Sequence, residues 1–197
     1  MQNHPNQNPL YPIFLKLHEL DLLLVGAGKV GYEKLFFILK NSPCANITVV
    51  ATEVSPKIEA LLSQKPGHQV TLRRRPFETT DVVGHHLVIA ATADRRLNAY
   101  VREAAKSRGA LVNVADTPDL CDFFLGGVVT RGDLKIAIST NGKSPTFAKR
   151  LRQVLEDALP ESTNELLQNL HLLRNQLSLN FSSKVEKLNE LTAYLVA

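Results

Sequence analysis

The run Gly26-Ala27-Gly28-Lys29-Val30-Gly31 constrains this chain more than any other feature. It follows the apolar stretch Asp21-Leu22-Leu23-Leu24-Val25, which reads as a strand buried on both faces. It precedes a stretch over 29–40 with Val30, Leu35, Ile38 and Leu39 as its apolar positions, which reads as a helix. Strand, glycine turn and helix together are the context in which G-x-G-x-x-G cradles a dinucleotide pyrophosphate. Gly26 permits the tight turn, Gly28 lets the backbone approach the phosphates, and Gly31 lets the helix pack close to the strand. The helix N-terminus adds free N–H groups and the positive end of its dipole. The alternative is a glycine-rich turn with no ligand.

Strand and helix signals alternate from there. Buried strands are expected at 47–51 and 87–92, a strand-like run at 70–74 and one more strand at 110–115. Ser55-Pro56 opens a helix, and a further helix carries Leu97, Tyr100, Val101, Ala104 and Ala105 on one face before Gly109 ends it. Alternation of this kind implies a parallel sheet of five strands covered by helices on both faces, an α/β Rossmann-type domain over residues 1–116.

The pattern changes after Asp116. FFLGGVVTRGDLKIAIST holds two β-rich runs around Arg131-Gly132-Asp133, an antiparallel hairpin in a segment 117–150. Ser144-Pro145 then caps a helix with Phe147, Leu151, Val154, Leu155 and Ala158 on one side. The capping box Ser162-x-x-Glu165 starts another, with Leu166, Leu170, Leu173 and Leu177 on one stripe, and a last helix starts near Ser183 with Glu186. A small C-terminal helical domain over 151–197 is expected. Leucine stripes on so little chain need a partner surface, so a homodimer through residues 117–197 is expected, unless these helices fold back on their own domain.

Several candidate site residues follow from topology. Glu53 lies 22 residues beyond Gly31, where an acid accepts hydrogen bonds from the adenosine ribose and disfavours a 2′-phosphate, so NAD is expected over NADP. A solvated loop glutamate stays open. Asn113 to Pro118 ends the fifth strand, which puts Asp116 beside the cofactor as a general base, or as a turn cap ahead of Pro118. Between 131 and 152 stand six basic residues, Arg131, Lys135, Lys143, Lys149, Arg150 and Arg152, against the single acid Asp133. Arg73, Arg74 and Arg75 form a second cluster. Such patches attract carboxylates or phosphates, or are solvated faces.

Composition excludes some classes. A net charge of +4 is too mild to argue for nucleic acid. No apolar run reaches the roughly 20 residues of a membrane helix. The polar first ten residues, with Pro5 and Pro9, read as a disordered lead-in rather than a signal peptide, so a cytoplasmic protein is expected. Cys44 and Cys121 read as reduced packing thiols, and no histidine spacing suggests a prebuilt metal site.

Pro12-Ile13-Phe14, LLLVGAGKVGYEK, AATADRRLN, VNVADTP and RGDLKIAISTNGKSPTFAKRLR occur in that order. Together they resemble the precorrin-2 dehydrogenase and sirohydrochlorin ferrochelatase family, whose members stand alone or form the N-terminal module of sirohaem synthases. The resemblance covers residues from about 11 to 160. It implies NAD-dependent oxidation of precorrin-2 to sirohydrochlorin, with Fe²⁺ insertion in some members. It places the essential aspartate on Asp116. Cofactor contacts fall on Gly26, Gly28, Lys29, Val30, Gly31, Thr52, Glu53 and Thr92. Substrate contacts are expected on Asn113, Thr140 and Ser144 and, from the basic block, on Arg131, Lys143, Lys149 and Arg150. The chain departs from the family at Thr140, where a serine is usual, and at Phe123 to Gly127, where many members have a proline before a small residue. The competing class is a regulatory dinucleotide-sensing module without catalysis, which would need neither the base nor the basic block.

Overall fold

Six of the seven residues of β1 (Asp21–Ala27) are buried, the pattern of a strand covered on both faces. Around it the computed structural model, which describes residues 8–64, 67–176 and 181–193, sets a five-stranded sheet in the order β3-β2-β1-β4-β5. The partners are β2 (Asn46–Val54), β3 (Val70–Arg73), β4 (Leu87–Ala90) and β5 (Leu111–Val114). Every pairing is parallel.

Alternation along the strands sends side chains to two cores. Leu22, Leu24, Ile47, Val49, Leu87 and Ile89 join Leu35, Ile38 and Leu39 of α1 (Lys29–Asn41) and Ile58 of α2 (Pro56–Gln64). Leu23, Val25, Val50, Val88, Val112 and Val114 join Val101 and Ala105 of α3 (Arg95–Lys106). Asp94 caps α3, its carboxylate accepting from the backbone N–H groups of Arg96 at 2.8 Å and Leu97 at 3.3 Å.

The free edge of β5 is covered by its own continuation. Asp122 N–H donates to Val112 O at 2.7 Å, and the Asp122 carboxylate accepts from Val112 N at 2.9 Å. Cys121 Sγ meets both N and O of Val114 at 3.2 Å. An exposed strand edge is thereby closed to other chains.

The chain divides into two compact units, Leu10–Leu125 and the part from Gly126 onward, with which Asn8 and Pro9 group. The second unit begins with the hairpin β6 (Gly127–Arg131) and β7 (Leu134–Ile138), paired antiparallel. Gly132 turns it at φ +58°, and Asp133 N–H donates to Asn164 Oδ1 at 2.8 Å. α4 (Pro145–Ala158) starts as expected, with Ser144 Oγ accepting from Phe147 N at 3.2 Å. α5 (Thr163–Gln176) and α6 (Phe181–Thr192) follow, the latter two residues ahead of the expected start at Ser183. Among the described residues of this unit, only Val129 and Ile138 are buried hydrophobics. Phe147, Val154, Leu172 and Leu173 are exposed. The polar lead-in expected before Leu10 falls mostly on residues 1–7, and Leu177 of the expected stripe is residue 177; both lie outside the described residues.

Candidate functional site

Parallel strands leave a crevice at their C-terminal ends where the strand order reverses, and here that point lies between β1 and β4. A cleft of about 640 Å³ opens there. Its lining includes Gly26, Gly28, Lys29, Val30, Thr52, Glu53, Thr92 and Asp116. Seven of the eight residues expected to hold the cofactor thus share one cavity with the expected base.

The glycines divide the work as their positions suggest. Gly26 stands at φ +102°, and a Cβ there would sit 2.6 Å from Ala91 O. Gly31, the one expected cofactor residue outside the lining, packs beneath it: a Cβ would collide with the carbonyl oxygen of Gly26. Gly28 is different, because a Cβ there would meet nothing within 4 Å. Its bare backbone faces open space at the start of α1, the shape a pyrophosphate requires. The residues present therefore fit a dinucleotide.

Thr52 and Glu53 lie inside β2 rather than beyond it. The register runs Val25↔Val50 and then Ala27↔Val54, so β2 carries two extra residues opposite β1. That irregularity pushes the 51–53 segment out toward the cleft. Glu53 is exposed.

Thr92 is fixed by a residue that motif reading passed over. Asn98 is only 5% exposed. Its Oδ1 accepts from Thr92 N at 3.1 Å and Oγ1 at 2.7 Å, while its Nδ2 donates to Thr92 O at 3.1 Å. A buried amide on α3 thereby sets the β4–α3 loop, and it also lines the cleft. Its only sequence signal was its place four residues after the Asp94 cap, inside AATADRRLN. Arg75, Pro76, Phe77 and Arg95 were likewise not foreseen as lining.

Asp116 follows β5 at φ +56°, the left-handed region. Such a conformation is uncommon for a residue with a Cβ, and aspartate is among the few that tolerate it. The carboxylate is exposed, and no side chain or backbone group among the described residues binds it. Cys121 braces the turn beneath, its sulfur also lying 3.4 Å from Thr117 O. Asn113 sits under this turn rather than in the cleft lining: it is 5% exposed and donates to Phe123 O at 2.9 Å, and its buried Oδ1 has no partner among the described residues.

The remaining expected substrate residues belong to the second unit. Lys143, Lys149 and Arg150 are exposed and form no ion pair among the described residues. Thr140 Oγ1 accepts from Ser144 N at 3.2 Å, so the two residues close the turn before α4. Arg131, expected among the substrate contacts, donates from Nε to Leu159 O at 3.3 Å and from Nη2 to Glu156 O. It satisfies carbonyls at the end of α4, a helix C-terminal role for which a cation is suited. The 73–75 cluster is paired with carboxylates of its own unit. Arg73 and Arg75 both bind the buried Asp81, and Arg74 pairs with Glu59 at 2.6 Å. Burial alone raises the Asp81 carboxyl, but the hydrogen bonds from Arg75, Glu78 N–H and Arg73 outweigh it and hold the group below its ordinary value. Cys44 is exposed in the turn after Pro43 and is not a packing thiol, whereas Cys121 is half-buried.

Two family models match. One, described as "Putative NAD(P)-binding", spans residues 13–127. The other, described as "Sirohaem biosynthesis protein central", spans residues 131–158. A siroheme synthase of Methylococcus capsulatus is 42% identical over 149 residues, covering 76% of this chain and 30% of that protein. A siroheme synthase of Pseudoalteromonas atlantica is 36% identical over 177 residues, covering 90% of this chain and 37% of that one. The chain thus spans about a third of the curated relatives it matches. Among solved structures, "SirC, precorrin-2 dehydrogenase" is similar with a TM-score of 0.75 at 28% identity, over 92% of this chain and 89% of its own.

Proposed function

This chain belongs to the putative NAD(P)-binding family whose model spans residues 13–127, and on that premise we propose that it oxidises precorrin-2 to sirohydrochlorin with NAD, in sirohaem biosynthesis. The observation that carries the reading is one cleft holding both an open glycine cradle and an unpartnered carboxylate at Asp116. A regulatory sensor needs the cradle and has no use for the carboxylate. The similarity to a precorrin-2 dehydrogenase over 89% of its length supports the same choice.

The oxidation removes a hydride and a proton from the tetrapyrrole. Bound NAD supplies the hydride acceptor. The N-terminus of α1 and the Gly28 backbone would hold its pyrophosphate, and Glu53 would accept hydrogen bonds from the ribose hydroxyls. Asn98 keeps the Thr92 loop in one conformation at the cleft wall. Asp116 takes the proton: no group among the described residues binds its oxygens, and it lines the cleft. For iron insertion the same carboxylate would accept pyrrole protons as the substrate Fe²⁺ enters.

Precorrin-2 carries eight carboxylates, and Lys143, Lys149 and Arg150 are the cations assigned to them. Thr140 and Ser144 shape the turn that presents Lys143. The active species is a cytoplasmic homodimer through residues 117–197. The thin core of the second unit and its exposed Phe147, Val154, Leu172 and Leu173 support that assembly. No helix among the described residues is long and apolar enough to cross a membrane. The test is to incubate the protein with precorrin-2 and NAD, with and without Fe²⁺, and follow the absorption spectrum. Conversion that requires NAD supports the reading; binding of NAD without conversion leaves the sensor.

A further inference from the structure

The strand order gives the cleft two ends. Asp116 follows β5, the sheet's last strand on one side, and Arg75 follows β3, the last strand on the other. Four strand spacings of about 4.8 Å separate them, with the Gly28 cradle after β1 in the middle. If the reactive ring lies by Asp116, as the proposed function requires, the other half of the dinucleotide lies by Glu53 and Arg75.

Arg75 is held there by unusual means for a residue on a loop. Asp81 is 1% exposed in its side chain and accepts four hydrogen bonds. Arg75 makes two of them, Nη1 to Oδ2 at 2.8 Å and Nη2 to Oδ1; Arg73 Nη1 adds one at 3.0 Å and Glu78 N–H the last at 2.9 Å. Arg75 Nη1 also donates to Pro76 O at 2.9 Å. The edge bearing both terminal nitrogens is therefore committed to the protein, while the side chain remains 35% exposed and lines the cleft. A guanidinium pinned by its edge keeps its plane fixed and its face available, and that face stacks on aromatic rings. The neighbouring aromatic Phe77, which also lines the cleft, packs on the second core and meets Tyr100 edge-on at 6.0 Å.

We propose that Arg75, oriented by the buried Asp81, is the platform on which the adenine ring of the dinucleotide stacks. The inference rests on the NAD reading above and adds a binding residue at the end of the cleft opposite Asp116. Stacking reads the π face of a purine and not its hydrogen-bonding edge, so the site accepts related purines.

The experiment is calorimetric titration of the full-length protein with NAD, AMP, nicotinamide hypoxanthine dinucleotide and nicotinamide mononucleotide. Arg75→Lys keeps the charge and removes the plane. It is expected to weaken NAD and AMP by about five- to tenfold and leave the mononucleotide unchanged. Asp81→Asn, which releases the plane, is expected to act in the same direction where it folds; Arg75→Lys, which keeps a cation beside the buried Asp81 at a half-buried position, decides the matter where it does not. In the parent, the hypoxanthine dinucleotide is expected to bind within a few-fold of NAD. Arg75→Lys with parental affinity for NAD and AMP overturns the proposal, as does a tenfold or greater loss on changing adenine to hypoxanthine. A parent protein that binds neither NAD nor NADP overturns the NAD reading itself, a result distinct from the first two.

Discussion

Gly28 and Gly31 offer opposite outcomes from the same substitution. Gly28 stands at φ −78° and ψ −156°, extended backbone that alanine adopts without strain. A Cβ there meets no protein atom within 4 Å, so Gly28→Ala is expected to fold and to melt within a few degrees of the parent. The new methyl stands where the pyrophosphate would lie. Forcing a methyl into a filled space costs about 1–3 kcal/mol, which is about 5- to 150-fold in the dissociation constant of NAD. Gly31→Ala directs its methyl onto the carbonyl oxygen of Gly26, and no flexible side chain can yield there. The same cost now falls on folding, and at roughly 4 °C per kcal/mol for a unit of this size the melting temperature drops. Calorimetric titration with NAD and thermal melting by circular dichroism read the two quantities separately. Parental NAD affinity in Gly28→Ala would refute the account of the cradle. An undiminished melting temperature in Gly31→Ala would refute the close packing of α1 on β1.

Other expectations follow from the same geometry. Charge-removing substitutions at Lys143, Lys149 and Arg150 should raise the KM for the tetrapyrrole more than they lower kcat, because ground-state contacts are lost; an unchanged KM across all three would make the block a solvated surface. Multi-angle light scattering should find a dimer at micromolar concentration, and a monomer would remove the assembly proposed for residues 117–197. Burial lowers the His85 imidazole below its ordinary 6.5. The folded state therefore binds the proton less well than the unfolded chain, so stability should be full above pH 6.5 and decline as the pH falls toward the depressed folded value. Replacing His85 by Gln should flatten that decline in pH-dependent denaturation, and an unaltered slope would show that another group causes it.

The parallel sheet was legible because its central strands β1 and β4 are continuous apolar runs and strand signals alternate with helix signals, and the glycine motif fell in the one context that gives it meaning. The place of Asp116 was legible from topology, two residues past β5 at an edge of the parallel sheet. What sequence could not show was which polar side chains the fold engages elsewhere. Arg131 and Arg150 look alike in the chain, yet one satisfies carbonyls at the end of α4 and the other stands free of ion pairs among the described residues. Arg73 and Arg75 read as an anion patch until Asp81, eight and six residues on, proved to be buried between them. Asn98 was hidden for the same reason: only the packed helix shows that its amide reaches back to Thr92. The β2 irregularity that moves Thr52 and Glu53 into the cleft depends on register with β1, which a single strand's sequence does not encode.

The central claim is that one cleft binds NAD and that Asp116 within it takes the substrate proton. Asp116→Asn keeps the shape and removes the proton acceptor, and asparagine tolerates the same left-handed backbone at φ +56°. Purified variant and parent, each saturated with NAD, should be mixed with precorrin-2 and followed by absorbance, with NAD affinity measured alongside. The account predicts parental NAD affinity and a loss of about 10²–10⁴-fold in the rate of sirohydrochlorin formation. Oxidation within a few-fold of the parent, at unchanged NAD affinity, would contradict it.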